Sequence, residues 1–347
     1  MKLKNVAASL LFLSCAHTAI AAEPTIQALT FKHPDGRSAP AEIYIDGEIT
    51  PALPKQLAAA LGSNNIVRGT IYINSVGGDL QAGLQLGEYI RKAGFNTAIG
   101  KRGLAYGKPT PGSCQSACLM TFAGGVYRFA EPKSFFGIHR FFKRSSDSQD
   151  LALGQVLSAA ITGYLLRMGV SPVLFERMAT SGSTPQQLSV AEATRLNLVN
   201  DGVLPTRWEI VGHAGKVFLQ GEQKTWNGTG RVQISCSRSE GMAFTAQYDA
   251  ERNTRQIQAD AKKLSLRLDG KFISVSTSGL PRPAEMKDGF LTSTFALSSS
   301  TAASLGKATM IGFAWLPDES SIFYGFELPT TGSQDVVYSF LKHCSDS

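Results

Sequence analysis

The segment Ile71-Tyr72-Ile73-Asn74-Ser75-Val76-Gly77-Gly78-Asp79 joins a β-branched run to a pair of glycines. β-Branched and aromatic residues fill its first half, which predicts a buried β-strand over residues 69–73. The two glycines then permit a tight turn, and Asp79 takes the N-cap position of an amphipathic helix predicted over residues 79–93. A strand that turns through glycines into a helix is typical of α/β proteins.

The segments on both sides continue this alternation of strands and helices. Upstream, a predicted strand over residues 41–45 precedes a helix over 51–61 that opens with a proline. Downstream, the expected elements are a helix from about Cys114 and strands over 96–99, 126–130 and 135–139. The alternation predicts an α/β domain with a largely parallel sheet.

Beyond Arg207 the sequence changes to short alternating runs separated by turn residues. The expected strands lie at 216–219, 230–236, 242–248, 264–268, 272–277, 311–315 and 321–328, followed by a helix over 334–342. Residues 213–347 are therefore expected to form a smaller, β-rich α+β domain. Its histidines are His213 and His343, and it has no carboxylate cluster, so we expect it to bind or assemble rather than to catalyse.

Composition and charge set further bounds. The chain has 347 residues, of which 43% are hydrophobic and 18% charged, and this length suits about two globular domains. The formal charge of +7 is spread along the chain, with no basic block longer than a pair such as Lys262-Lys263. Charges distributed in this way predict no basic patch that could bind a phosphate backbone, so nucleic acid is not an expected partner.

The first 22 residues have the pattern of a signal peptide. Lys2 and Lys4 precede a short apolar run, and Ala19-Ile20-Ala21 forms a small-residue cleavage site. The mature chain is therefore expected to be exported, in the manner of a bacterial periplasmic protein, and to start near residue 23. A lipid anchor on Cys15 is the alternative, although bulky Leu13 stands where a small residue is usual.

Export makes disulfides the expected state of the four other cysteines. Of the three possible connectivities, the simplest pairs Cys114 with Cys118 and Cys236 with Cys344. Two free buried thiols remain the alternative for Cys114 and Cys118. The histidines are too scattered for zinc-like spacing, so we expect no metal site and no cofactor.

Three motifs of the first domain resemble the proteolytic subunit of Clp protease, within the wider crotonase-like fold. Ile43 to Ile49 with Ile71 to Asp79 is similar to that family's strand, helix and strand ending in a glycine pair. Ser113-Cys114-Gln115-Ser116-Ala117-Cys118 resembles the nucleophile turn, and Phe136-Gly137-Ile138-His139 resembles the strand that ends at the catalytic histidine. The resemblance implies a Clp-like ββα spiral domain over 23–212, followed by the β-rich domain.

The resemblance also implies a catalytic site for acyl transfer. Ser116 would be the nucleophile and His139 the general base, and the N–H groups of Gly78 and Ala117 would form the oxyanion hole. A serine at the start of a helix has backbone donors and the positive end of the helix dipole beside it, which suits a developing oxyanion.

The third catalytic position departs from the family pattern. The place expected for an acidic residue falls at or beside Ser181, and no carboxylate occurs there. A hydroxyl can fix the tautomer of an imidazole but cannot stabilise its charged form. The site is then slow, completed by a carboxylate such as Glu176 or Asp150, or no longer catalytic.

The function expected from these features is that of an exported serine hydrolase that cleaves a peptide or protein substrate. The alternative is an inactive oligomeric scaffold that presents the C-terminal domain; a coenzyme A lyase is disfavoured by export. The charge-free run over 151–166 predicts a buried helix, packed within its own domain or in a homo-oligomer, rather than a membrane span. No ATPase partner is expected outside the inner membrane.

Overall fold

A computed structural model of the protein describes residues 23–34, 36, 38–104, 108–140, 148–213, 216–237, 241–276, 284–317 and 323–346. The chain divides into two compact units. The first runs through Gly125 and resumes over Ala130–Leu198, and the second holds Val126–Phe129 and the chain from Val199 onward. The predicted signal peptide and Cys15 lie outside the described residues.

The first unit has mixed α/β structure, as the sequence predicted. Strands β2, β3 and β4 pair in parallel, and β1 joins β2 in antiparallel orientation. A smaller sheet pairs β5 with β7 in parallel and β7 with β8 in antiparallel orientation. The elements, together with β6 at the crossing between the units, are β1 (Thr25–Leu29), β2 (Ala41–Asp46), α1 (Leu53–Ser63), β3 (Gly69–Asn74), α2 (Leu80–Ala93), β4 (Asn96–Ile99), β5 (Ser113–Gln115), α3 (Cys118–Ala123), β6 (Arg128–Ala130), β7 (Phe135–Ile138), α4 (Ser148–Arg167), α5 (Val173–Thr180), β8 (Gln186–Leu188) and α6 (Val190–Arg195).

The quoted stretch forms the predicted strand, turn and helix. Ile71 and Ile73 of β3 are fully buried, in register with Ile43 and Ile45 of β2. The Asp79 carboxylate accepts a hydrogen bond of 2.7 Å from the Ala82 N–H, so it caps α2 as expected.

The helix predicted from about Cys114 begins later, at Cys118. Residues Ser113–Gln115 form strand β5, and α3 begins at Cys118. The Ser75 N–H donates to the Ser113 carbonyl at 2.7 Å, and the Gln115 N–H donates to the Ser75 carbonyl at 3.1 Å. These long-range bonds hold the segment extended against its local sequence pattern.

Helix α4 buries one side in the first unit. Ile161, Tyr164 and Leu165 are buried, and the Tyr164 hydroxyl donates to the Met120 carbonyl of α3 at 2.6 Å. Val156 is 68% exposed, so packing within the unit accounts for only part of the helix. None of the helices in the described ranges is both long and apolar enough to cross a membrane.

The second unit contains two antiparallel sheets that share an aromatic core. The strand orders are β15-β16-β12-β11-β10-β9 and β14-β13-β17-β18. Phe244 of the first sheet lies 6.2 Å from Phe313 of the second, and Phe313 lies 4.8 Å from Trp315, between ring centroids. The elements are β9 (Arg207–His213), β10 (Lys216–Thr225), β11 (Gly228–Ser237), β12 (Gly241–Asp249), a 3-10 turn (Glu251–Asn253), α7 (Thr254–Asp260), β13 (Lys263–Leu268), β14 (Lys271–Val275), β15 (Glu285–Lys287), β16 (Phe290–Leu297), α8 (Ser299–Leu305), β17 (Met310–Leu316), β18 (Tyr324–Pro329) and α9 (Gln334–Asp346).

The second unit begins earlier than the boundary predicted after residue 212. Strand β9 pairs with β10 along its whole length, from His213 opposite Lys216 to Arg207 opposite Glu222. A boundary at 212 would cut this hairpin. The division falls instead between Leu198 and Val199.

The second unit is cross-linked by a disulfide between Cys236 and Cys344, the pairing chosen from the sequence. It joins β11 to α9 across a sequence separation of 108 residues, with the Cα atoms 5.6 Å apart. The link shortens the free chain of the unfolded state, which lowers the entropy gained on unfolding.

Replacing both Cys236 and Cys344 with Ser should lower the free energy of unfolding of the second unit by about 2–5 kcal/mol. Urea denaturation followed by tryptophan fluorescence would measure it, because Trp315 is fully buried in this unit. Unchanged midpoints would show that the cross-link does not constrain the unfolded chain.

Candidate active site

Three chain segments meet where β3, β5 and β7 end. The end of β3 passes through Ser75 into the glycine pair, and Ser75 pairs with Cys114 of β5. Strand β5 pairs in turn with β7, with Gln115 opposite Gly137. In this parallel register the turn after β5 and the residue after β7 lie at the same end of the strand pair, and these positions hold Ser116 and His139.

Ser116 occupies a strained turn between β5 and α3. Its φ is +54°, a left-handed conformation that is uncommon for a residue with a side chain. The Ser116 N–H donates to the Gly137 carbonyl at 3.0 Å, which fixes the turn against β7. The residue is 9% exposed, and its hydroxyl makes no hydrogen bond to any residue that the structure describes. A serine on a sharp strand-to-helix turn is the arrangement by which many hydrolases present a nucleophile.

A disulfide between Cys114 and Cys118 spans this turn. The two Cα atoms are 5.3 Å apart, and both residues are fully buried. The bridge ties the last part of β5 to the first residue of α3, with Ser116 in the middle of the closed ring. It therefore restricts the backbone that holds the serine hydroxyl.

The glycine pair allows the end of β3 to approach this turn closely. Gly77 has a φ of +104°, and a Cβ atom built on it would lie 2.7 Å from the Ser116 Cβ and 2.8 Å from the Gln115 carbonyl oxygen. Gly78 has a φ of +138°, and its Cβ would lie 2.4 Å from the Ile49 carbonyl oxygen. Both positions thus exclude a side chain.

Two backbone donors beside Ser116 are left without acceptors. The neighbouring N–H groups are used: Gly77 donates to the Ser75 hydroxyl at 3.1 Å, and Asp79 donates to the Ile49 carbonyl at 2.8 Å. The N–H groups of Gly78 and Ala117 make no hydrogen bond within the described part of the chain. Unused donors next to a nucleophile can bind an oxyanion.

His139 follows the last residue of β7 and is half-buried. Its Nδ1 lies 2.9 Å from the Arg140 carbonyl oxygen. A carbonyl can only accept, so this contact favours the tautomer that carries its proton on Nδ1 and leaves the Nε2 lone pair free. No hydrogen bond joins His139 to Ser116 here, but catalytic hydrogen bonds are often long before substrate binds.

Ser181 lies near the histidine but serves another group. Its hydroxyl donates to the Met178 carbonyl at 2.7 Å, at the end of α5, and makes no hydrogen bond with His139. The next residue is tied to the histidine segment, because the Arg140 N–H donates to the Gly182 carbonyl at 3.1 Å. The acceptor at Nδ1 is thus a main-chain carbonyl that sequence analysis missed. Every residue has a main-chain carbonyl, so the sequence does not indicate which carbonyl accepts the bond from the imidazole.

No carboxylate bonds the imidazole among the residues that the structure describes. Glu176 is exposed on α5, and the side chain of Asp150 lies outside the described residues. Over the described ranges there is also no group of three or more His, Cys, Asp or Glu side chains that could hold a metal ion. The site thus offers a hydroxyl, an imidazole and two free N–H donors.

The sequence matches no known protein family and no curated protein. Two similar solved structures are ClpP1 from Listeria monocytogenes and an asparagine-to-aspartate mutant of it. They are 22% and 21% identical to this chain, with TM-scores of 0.36 and 0.34, and each match covers 46% of this chain and 88% of that chain. Function depends on the chemistry of the site rather than on the fold.

Proposed function

We propose that the chain is an exported serine hydrolase that cleaves peptide bonds, with Ser116 as nucleophile and His139 as general base. The observation that carries the proposal is the left-handed turn at Ser116, beside the unused N–H groups of Ala117 and Gly78. Strain at a single non-glycine residue persists when the surrounding structure holds it, and it clusters at functional sites. Here a disulfide and the bond to Gly137 hold it.

The reaction follows from these groups. Ser116 Oγ attacks the carbonyl carbon of the substrate, and its proton passes to Nε2 of His139. The negative charge that forms on the carbonyl oxygen is stabilised by the N–H groups of Gly78 and Ala117. The imidazolium then protonates the leaving amine, and water releases the acyl group from Ser116 by the same steps in reverse.

The third member of a catalytic triad fixes the tautomer of the histidine, and here the Arg140 carbonyl has that role for His139. It can hold the Nδ1 proton, but as a neutral dipole it stabilises the imidazolium less than a carboxylate does. Loss of the acidic member costs serine proteases about 10⁴-fold in turnover. Applied to a median turnover of about 10 per second, this predicts hydrolysis at about 10⁻³ per second.

The same proposal covers the domain architecture, the export and the oligomeric state of the enzyme. The order of the three motifs supports a Clp-like domain, with the second unit as a binding or assembly module. The paired cysteines and the signal-like N-terminus support export to the periplasm. The exposed side of α4, with Val156 and Leu166, supports homo-oligomer formation. No cofactor, nucleic acid or ATPase enters the proposal.

An inactive scaffold is the second candidate, favoured by the lack of a carboxylate on His139 among the described residues. The hydrolase and the scaffold can be distinguished with the oxidised mature chain. Its turnover is measured on a fluorogenic peptide library and on p-nitrophenyl butyrate. The hydrolase predicts slow turnover that Ser116→Ala abolishes. Equal rates for wild type and Ser116→Ala would support the scaffold.

Replacing Ser181 with Ala should leave kcat/KM within about twofold of wild type, because its hydroxyl serves the Met178 carbonyl and not the imidazole. Hydrolysis of the best ester or peptide substrate would measure it. A loss of tenfold or more would make Ser181 the third catalytic member.

A further inference from the structure

A cavity of about 360 Å³ opens in the second unit, beside the turn that joins β10 to β11. Three amide side chains and two phenols contribute to its wall: Asn227, Asn253, Gln256, Tyr248 and Tyr324. None of these residues takes part in the proposed hydrolytic site. A ligand of this cavity would therefore bind independently of the hydrolytic reaction.

Local structure brings the five side chains together. Strands β11 and β12 pair so that Thr229 lies opposite Asp249, which places the turn at Asn227 next to the end of β12. The chain then bends, and the Ala250 N–H donates to the Thr254 hydroxyl at 3.0 Å to fix the corner. Asn253 is the last residue of the 3-10 turn and the N-cap residue of α7, and Gln256 follows three residues later within α7, a spacing that puts the two on one side of the helix.

The polar groups of the wall have unused hydrogen-bonding capacity. The side-chain amides of Asn227, Asn253 and Gln256 bond to no residue that the structure describes, and neither does the Tyr248 hydroxyl. Each amide presents two donors and one acceptor oxygen. Burial raises the pKa of the Tyr248 hydroxyl, so it remains a neutral donor.

The aromatic part of the wall is held in place by its neighbours. The Tyr248 ring stacks on Trp315 with centroids 6.1 Å apart and lies 5.9 Å from Phe326. The Tyr324 hydroxyl donates to an Asp260 carboxylate oxygen at 3.4 Å, which orients its ring. No charged side chain from the described part of the chain lines the cavity.

We propose that this cavity binds a neutral saccharide unit. Vicinal hydroxyls need partners that both donate and accept, and free amides supply both from one side chain. The apolar C–H face of a sugar ring suits a fixed aromatic ring, and an uncharged wall gives no preference for an acidic sugar. The volume lies at the lower end of the range for ligand pockets, which is about 300–1,000 Å³, and so fits one or two sugar rings.

The test uses the full mature chain and saturation-transfer NMR with chitotriose and cellotriose as probes, and trialanine as a neutral peptide. At least one trisaccharide should bind saturably. Asn253→Ala and Gln256→Ala should each weaken that binding about fivefold, the effect expected for one lost hydrogen bond. Both side chains are exposed, so thermal unfolding should not change. Gln334→Ala, at an exposed glutamine elsewhere in the same unit, is the matched control and should bind like wild type.

Three results would overturn the proposal. One is the absence of saturable saccharide binding at about 10 mM, where a site with a Kd of about 1 mM is mostly filled. Another is saccharide binding that Asn253→Ala and Gln256→Ala leave unchanged. The third is binding of trialanine alone, which would make the cavity a peptide site. All binding variants can be made in the Ser116→Ala background, so the saccharide-binding result does not depend on hydrolytic activity.

Discussion

His139→Ala should slow the reaction of Ser116 with a fluorophosphonate about 10³-fold, within the range that a general base contributes. The reagent reacts when Ser116 Oγ attacks phosphorus and displaces fluoride, and the serine proton has to leave in the same step. Nε2 of His139 is proposed to accept it, with Nδ1 held by the Arg140 carbonyl at 2.9 Å. Gel fluorescence at several reagent concentrations gives the second-order rate constants.

His213→Ala is the matched control for that experiment, because His213 is exposed at the end of β9 in the second unit. Its rate of labelling should equal that of wild type. Labelling of His139→Ala at the wild-type rate would remove the imidazole from the mechanism, while unchanged circular dichroism of the variant would exclude misfolding as the cause of a loss.

Gly77→Ala should lower the labelling rate about 10²-fold or more, the effect expected when a reacting group is displaced by about 1 Å. The added Cβ would lie 2.7 Å from the Ser116 Cβ and 2.8 Å from the Gln115 carbonyl oxygen, so the nucleophile turn has to move. The disulfide across the turn limits how far it can adapt. Stability should fall as well, because the φ of Gly77 is +104°.

Gly94→Ala separates the steric effect from the conformational one. Gly94 ends α2 with a φ of +76°, but a Cβ there would meet nothing within 4 Å. This variant should lose some stability and keep the wild-type labelling rate. If both variants react at the same rate, close contact between Gly77 and Ser116 does not position the nucleophile.

The sequence was most informative where local and long-range preferences agree. The β-branched run of β3, the glycine pair and the Asp79 cap predict one strand, one turn and one helix, and all three occur. The cysteine pairs could be chosen because each lies within one half of the chain. The pairing of Ser116 with His139 as nucleophile and general base was predicted only from the resemblance to a family.

The sequence was least informative where tertiary contacts decide. Strand β5 reads as the start of a helix, yet pairing with Ser75 and with β7 keeps it extended. The boundary of the second unit was predicted too late in the chain. Strand β9 pairs with β10, but the sequence alone does not show which strands belong to the same sheet. The Arg140 carbonyl beside His139 is a main-chain group that every residue type would supply.

Mass-spectrometric mapping of the fluorophosphonate adduct on the oxidised mature chain identifies the nucleophile. Slow labelling of one residue, Ser116, is expected, in the peptide that contains the Cys114–Cys118 disulfide. The Ser116→Ala variant should carry no adduct. An adduct on another serine, or equal labelling of wild type and Ser116→Ala, would contradict the assignment of Ser116 as the nucleophile.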